Sequence, residues 1–252
     1  MFELPAQKAE ELKAKLIINP SFEMLRQVEG WLRDEYENSC SGFYPSWDII
    51  RHRFDNGQVI LLLAKGRAAG FICWYGTSAV KFIDFVEIMP QVRRRGLGRL
   101  MVEECMDVFR ESGCVVVSLE CPFFASLPFW RSLNFIPNTA GISCVNQRMF
   151  KVLTTSLELF GLKSTDSPVV ELWNNPPDDT GNTEATWKWR IQLENGSRRL
   201  VTPVIYPCLP DWRLRVRVGS KIFVDTAVKH FSMNQVYFDG FLIIERLDIE
   251  HQ

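Results

Sequence analysis

The stretch Arg93-Arg94-Arg95-Gly96-Leu97-Gly98-Arg99 constrains this chain more than any other. Before it runs a strand-like segment, Val80 to Ile88, and after it a helix-like one, Leu100 to Glu111. A strand that turns through glycine into a helix belongs to a fold mixing sheet and helix, and it lets the backbone approach a ligand in front of the turn. The amides of a first helical turn lack carbonyl partners within the helix, and the dipole there favours negative charge. With four arginines in the same seven residues, such a turn suits a phosphate, whose oxygens guanidinium groups can pair two at a time.

Spacing narrows the phosphate ligand. A dinucleotide fingerprint needs a small residue where Met101 stands, and the Lys-Ser/Thr pair of a P-loop is missing. The string Ile88-Met89-Pro90-Gln91-Val92-Arg93-Arg94-Arg95-Gly96-Leu97-Gly98 instead resembles the acyl-CoA pyrophosphate loop of the GNAT superfamily of N-acetyltransferases. That loop reads Arg or Gln, two residues, Gly, one residue, Gly or Ala, after a strand ending in an apolar residue, a spacer and often Pro. The resemblance implies acetyl-CoA as cosubstrate, held by Ile88, Arg93, Arg94, Arg95, Gly96, Leu97, Gly98 and Arg99, an amine acceptor that is a small molecule or a protein, and no metal.

The order of elements agrees over about residues 14–150. Glu3 to Lys15 reads as helix and Leu16 to Ile18 as a short strand. Ser21 then caps a helix to about Glu37, with Phe22, Leu25, Val28, Trp31 and Leu32 on one stripe. After a turn-rich loop come a helix over Trp47 to Phe54 and two strands, Gln58 to Ala64 and Ala68 to Tyr75, joined as a hairpin. Strand Val80 to Met89, the helix after Gly98, strand Cys114 to Leu119, a short helix around Phe124 to Leu133 and a final strand from Ile142 to Phe150 complete an α/β fold, an α+β mixed sheet of the GNAT type. The resemblance also implies that the strand ending near Ile88 splays from Val115 to Leu119 and admits the pantetheine arm between them, where its amides find strand backbone.

Acyl transfer to an amine needs the amine neutral and a proton for the departing thiolate. The acidic position that many GNAT members carry on this strand falls on Asp84, and alternation places it with Phe82 and Val86 unless a bulge intervenes; Glu87, of opposite parity, is the reserve. Either acid can instead end a strand in solvent or pair with an arginine. Where the family commonly has a tyrosine that protonates the thiolate, the chain reads Phe129-Trp130-Arg131-Ser132-Leu133-Asn134-Phe135, with Trp130 in its place. An indole N–H is a very poor acid. Water, Ser126 or Cys121 remain as donors, and an acyl-CoA-binding sensor with little or no turnover stays open beside the enzyme.

The pattern changes at Leu153, which splits the chain into an acyl-CoA-binding domain, 1–152, and a mainly antiparallel β domain or subdomain, 153–252. A polar loop, Trp173 to Asn182, leads into strand-like sequence in which Trp187, Trp189, Ile191 and Leu193 share a face. Asn195-Gly196 signals a hairpin into Arg198 to Ile205, and Asp239-Gly240 another between Gln235 to Phe238 and Phe241 to Arg246. Arg213, Arg215 and Arg217 alternate with Leu214, Val216 and Val218; their arginines read as the coat of a solvated or edge strand, and the tryptophans as core. Whether residues 153–252 shape acceptor choice or build a homodimer stays open.

A net charge of −1 supplies no global field for nucleic acid, and no apolar run approaches the ~20 residues of a membrane span. Met1 to Lys8 has neither the basic nor the apolar region of a secretory signal. Seven scattered cysteines without a Cys-x-x-Cys pair read as reduced core residues of a cytoplasmic protein, and His52, His230 and His251 have no zinc-ligand spacing.

Overall fold

The computed structural model describes residues 13–121, 124–138, 147–154, 167–179, 184–194, 197–231, 236–238 and 240–247. The chain divides into two compact units, Met1–Ile136 with Met149–Leu153 and Pro137–Arg148 with Thr154–Gln252. The expected helix over Glu3 to Lys15 lies outside the described residues except at its end, where Lys13 is in a turn and Lys15 opens a strand.

The N-terminal sheet has seven described strands: β1 (Lys15–Ile18), β2 (Val59–Ala64), β3 (Arg67–Gly76), β4 (Val80–Ile88), β5 (Val116–Cys121), β6 (Ile136–Pro137) and β7 (Gln147–Val152). Their order is β1-β2-β3-β4-β5-β7-β6. Helices α1 (Phe22–Ser39) and α2 (Trp47–Asp55) cover one face, and α3 (Leu97–Glu111) the other, with the short α4 (Leu127–Ser132) on the α3 side. β2 shows why the sheet has two cores. Its run Val59-Ile60-Leu61-Leu62 is apolar throughout because Val59 and Leu61 pack with α1 and α2, while Ile60 and Leu62 pack with α3. α1 starts as the sequence implies: Ser21 Oγ accepts the Met24 N–H at 3.4 Å, and Leu25, Val28, Trp31 and Leu32 are buried. Phe22 departs from that stripe. It is 47% exposed and leans on Phe54 at the end of α2.

Two features of β4 shape the site. Parallel pairing with β5 runs only from Val80 opposite Val116 to Ile83 opposite Leu119, whereas antiparallel pairing with β3 continues to Ile88 opposite Gly70. Among the described residues, the strand beyond Ile83 therefore has a partner on one side only. Opposite the step from Cys73 to Trp74, β4 also spends an extra residue: Phe85 faces Cys73 and Ile83 faces Trp74, which leaves Asp84 as a bulge.

The second unit is antiparallel. Strands β8 (Pro168–Leu172), β9 (Trp187–Arg190), β11 (Arg213–Val218) and β12 (Lys221–Ala227) form a sheet in the order β12-β11-β8-β9, and β10 (Arg199–Pro207), β13 (Val236–Phe238) and β14 (Phe241–Arg246) form one in the order β10-β14-β13. Both contribute to one core, with Val170, Leu172, Leu214 and Val216 from the first and Val204, Leu242 and Ile244 from the second. Trp187 and Trp189 pack against that core, Trp187 stacked on Trp212 at 5.2 Å. Both Asn195-Gly196 and Asp239 lie outside the described residues, but the strands flanking Gly240 pair as the hairpin signal implies. β11 is no edge strand, since β12 and β8 flank it. Its arginines are also not free in solvent. Asp225 on β12 accepts from Arg213 at 2.7 Å and from Arg215 at 2.9 Å, and buried Glu171 on β8 accepts from Arg217 at 3.2 Å. Arg213 and Arg215 also lie over the buried Trp173 ring, 4.8 and 4.9 Å from its centroid.

The hydrogen bond from Arg213, reinforced by those from Arg215, holds the Asp225 carboxyl below the ordinary Asp range. A carboxyl lowered by folding stabilises the native state above its unfolded pKa, and that contribution is lost as pH falls through the folded value. Asp225→Asn should therefore melt below the wild type at pH 7, with the gap closing at pH values under about 3.9. Thermal unfolding across pH checks this, and parallel curves at all pH values would refute it.

Candidate active site

The turn after β4 is built from backbone conformation. Pro90–Val92 forms one 3-10 turn, Arg94 and Gly96 adopt left-handed φ of 63° and 82°, and α3 begins at Leu97. Gly96 is the N-cap and has no side chain to offer, so the first helical bond is Leu100 N–H to Gly96 O at 3.1 Å. The N–H groups of Leu97, Gly98 and Arg99 precede that bond and point out of the helix start. A side chain at Gly96 would strain the backbone. Gly98 is tight for a different reason: a Cβ there would stand 3.6 Å from Ile88 and 3.7 Å from Phe129, ordinary contact that admits a methyl group and little more.

The arginines divide into two pairs. Arg93 turns back into the protein, its Nε–H donating to Ile88 O at 2.7 Å and its Nη2 to both Glu35 oxygens at 2.7 and 2.9 Å and to Glu87 Oε1 at 2.9 Å. Arg99 donates to Glu103 at 3.1 Å and to Ser132 Oγ at 2.7 Å, tying α3 to the end of α4. Arg94 and Arg95 are exposed and have no hydrogen-bond or ion-pair partner among the described residues. Two guanidinium groups thus brace the turn, and two face solvent beside it.

The bulge corrects the expected placement of the acids. Ile83, Val86 and Ile88 pack on the α3 side, whereas Phe85 packs on the α1/α2 side. Because the bulge uses up one residue of alternation, Asp84 does not share a face with Val86, and Asp84 and Glu87 are not on opposite faces. Both point to α1 and α2: Asp84 Oδ2 accepts from Arg53 Nε of α2 at 2.6 Å, and Glu87 meets Arg93 and, through it, Glu35 of α1. Arg53 lies over the Tyr75 ring at 4.6 Å, and Phe43 from the loop after α1 packs on Phe85 at 4.9 Å. Burial raises the Glu87 pKa and the Glu35 charge raises it further, while Arg93 opposes both.

Glu35 was not among the candidates from sequence. Its signal was there: it follows Leu25, Val28 and Leu32 at the next stripe position, and a carboxylate there, 8% exposed, needs a partner. The loop passes close by at Gly42, whose φ is 85° and where a Cβ would come within 3.2 Å of Glu35 Oε2.

On the α3 side, Trp130 is buried with its ring edge-on to Phe129 and Phe135, both at 5.1 Å. Cys121 at the end of β5 packs in the same cluster, with its Sγ 2.9 Å from Ser126 Oγ. Among the described residues no group of His, Cys, Asp and Glu could hold a metal ion, and no helix is long and apolar enough to cross a membrane.

Residues 23–135 match the model of the acetyltransferase (GNAT) family. That segment is a GNAT domain. Among solved structures it is similar to an N-acetyltransferase, PaiA, from Thermoplasma acidophilum in complex with coenzyme A, at 14% identity and TM-score 0.46 over 55% of this chain and 98% of that one. It is also similar to the GNAT family N-acetyltransferase YhbS from Escherichia coli in complex with CoA, at 13% identity and TM-score 0.46 over 56% and 82%. A GNAT acetyltransferase from Staphylococcus aureus matches at 13% identity and TM-score 0.46 over 56% and 99%. No curated protein matches the chain. The GNAT family match ends at Phe135, before the second unit's strands.

Arg93 is the cation between two carboxylates of the GNAT domain, so Arg93→Ala should leave Glu35 and Glu87 facing each other without it. The expected loss is about 1–3 kcal/mol of stability, with the Glu87 pKa rising further. Denaturant unfolding and carboxyl titration measure both, and an unchanged stability with an unchanged pKa would contradict the arrangement.

Proposed function

We propose that this protein is an N-acetyltransferase that binds acetyl-CoA at the turn before α3 and passes the acetyl group directly to the amine of an acceptor. The observation that carries this reading is the one-sided pairing of β4 beyond Ile83, with the glycine turn at its end and carboxylates on its α1/α2 face. Phosphate oxygens would take the N–H groups of Leu97, Gly98 and Arg99 and the exposed guanidinium groups of Arg94 and Arg95. Arg93 and Arg99 serve the turn by bracing it. The open side of β4, up to Ile88, would take the amides of the pantetheine arm.

The acceptor amine approaches from the α1/α2 side. An aliphatic amine with a pKa near ~10.4 is mostly protonated at neutral pH, so a carboxylate must take its proton before or during attack. We assign that role to Glu87, whose carboxyl is made more basic by its surroundings, and keep Asp84, held by Arg53 at 2.6 Å, as the alternative. As the nitrogen–carbon bond forms and the carbon–sulfur bond breaks, the nitrogen gives up its second proton, and that proton reaches the departing thiolate by relay through water or the Cys121–Ser126 pair, so the products are the amide and free CoA thiol. The buried thiols Cys73, Cys105, Cys114, Cys121 and Cys208, in no disulfide among the described residues, suit the reducing cytoplasm.

One observation favours a second reading, acyl-CoA binding without turnover: Trp130 occupies the tyrosine position and its indole is fixed in the core. Thiol release from acetyl-CoA with a panel of amines separates the two. Transfer predicts release that depends on the amine, and a sensor predicts calorimetric CoA binding with none.

Gly96→Val should abolish most CoA affinity by calorimetry, and unchanged affinity would overturn the site. Glu87→Gln should lower kcat/KM by roughly 10²–10⁴ while CoA still binds. A loss of that size in Asp84→Asn alone would move the base to Asp84.

A further inference from the structure

The carboxylate that shares Arg93 with Glu87 belongs neither to β4 nor to the phosphate turn. Glu35 lies near the end of α1 with an 8% exposed side chain, and Arg93 Nη2 meets its two oxygens at 2.7 and 2.9 Å and Glu87 Oε1 at 2.9 Å. The same guanidinium holds Ile88 O through Nε at 2.7 Å. One rigid, planar group therefore joins the end of β4, the carboxylate beside its open edge and a carboxylate on α1. Two negative charges against one positive leave this part-buried cluster short of neutral. On that geometry we propose that Glu35 is a positioning residue for acetyl transfer: through Arg93 it orients the Glu87 carboxylate that takes the amine proton.

The inference rests on the acetyltransferase reading and adds a residue to it. Three rotatable bonds leave a glutamate side chain much freedom, and a single hydrogen bond to a mobile arginine would fix it poorly. Arg93 is not mobile here, because Ile88 O and Glu35 hold it from two sides. Glu35 also acts at a distance, since a like charge nearby disfavours a second carboxylate. The charged groups that face Glu87 are Glu35 from α1 and Arg93 from the turn; β3 presents Phe71 opposite it, and Asp84 on its own strand is taken by Arg53 of α2. Glu35 is thus the one of these groups that raises the Glu87 pKa, and Arg93 the one that lowers it. A base must be deprotonated to work, so kcat/KM should rise with pH through the raised Glu87 pKa.

The test uses the full chain, as wild type, Glu35→Gln and Glu35→Asp, with acetyl-CoA and whichever amine supports thiol release. In Glu35→Gln the acidic limb of kcat/KM should move to lower pH and the plateau fall roughly tenfold, a fraction of what loss of the base itself costs, while calorimetric CoA affinity stays put. Glu35→Asp keeps the charge and should return the limb most of the way. A residue that merely supports the fold would lower activity equally at all pH values and leave the limb in place. Carbon-13 titration of the Glu87 carboxyl, assigned with Glu87→Gln, reads the same coupling without turnover. A limb and a Glu87 titration both unmoved in Glu35→Gln, in a protein that does turn over, overturn the proposal and leave acetyl transfer standing. A wild type that releases no thiol with any amine overturns acetyl transfer, and the role of Glu35 falls with it even if the titration moves.

Discussion

Everything in the first unit that bears on chemistry depends on β4 being held on one side and released on the other. Its ladder with β3 runs to Ile88, while its ladder with β5 stops at Ile83 and Leu119. Unmade backbone hydrogen bonds are costly away from water, so this edge is the feature on which the acetyl-CoA proposal rests. The edge stays open because β4 is clamped elsewhere: Met89 N–H reaches Ala69 O at 2.8 Å, Arg93 caps Ile88 O, and Gly70 gives Ile88 room where a Cβ would come within 2.5 Å of its side chain. The glycine turn then sets a helix N-terminus at the end of that edge, where backbone amides and dipole favour an anion.

The bulge at Asp84 distributes the charges around this edge. With one residue out of alternation, Asp84, Phe85 and Glu87 all turn to α1 and α2, while Ile83, Val86 and Ile88 fill the α3 core. Apolar packing and an acidic face are thereby separated across a single strand. Each acid has its own arginine, Arg53 for Asp84 and Arg93 for Glu87, but only Arg93 serves a second carboxylate. That difference distinguishes two acids three residues apart.

Charge is handled differently in the second unit. On the β11 face the arginines meet Asp225 and Glu171 from the flanking strands and stack on Trp173, so the basic stripe is spent within the sheet. A part-buried network of this kind selects register, since a one-residue slip would place each guanidinium on the apolar core.

Local signals made much of this legible. A glycine turn into a helix, a serine that caps α1 and a stripe at helical spacing each depend on a residue's immediate neighbours, and each appears where its residues stand, Phe22 of the stripe apart. The match to residues 23–135 follows the same local pattern. What tertiary structure decided is everything that needs two elements at once. Alternation could not show the bulge, because an extra residue in β4 exists only relative to β3. Arg93 looked like a phosphate ligand from its motif, yet its strongest partners come from α1, 58 positions away, and from β4. Arg213 to Arg217 looked like a solvated face until Asp225 and Glu171 came alongside. Which segments become strand, helix and glycine turn could be read along the chain, because those are short-range choices of backbone and burial. Only the folded chain decided which charges remain available, because electrostatic partnership is set by distance in space and not along the chain.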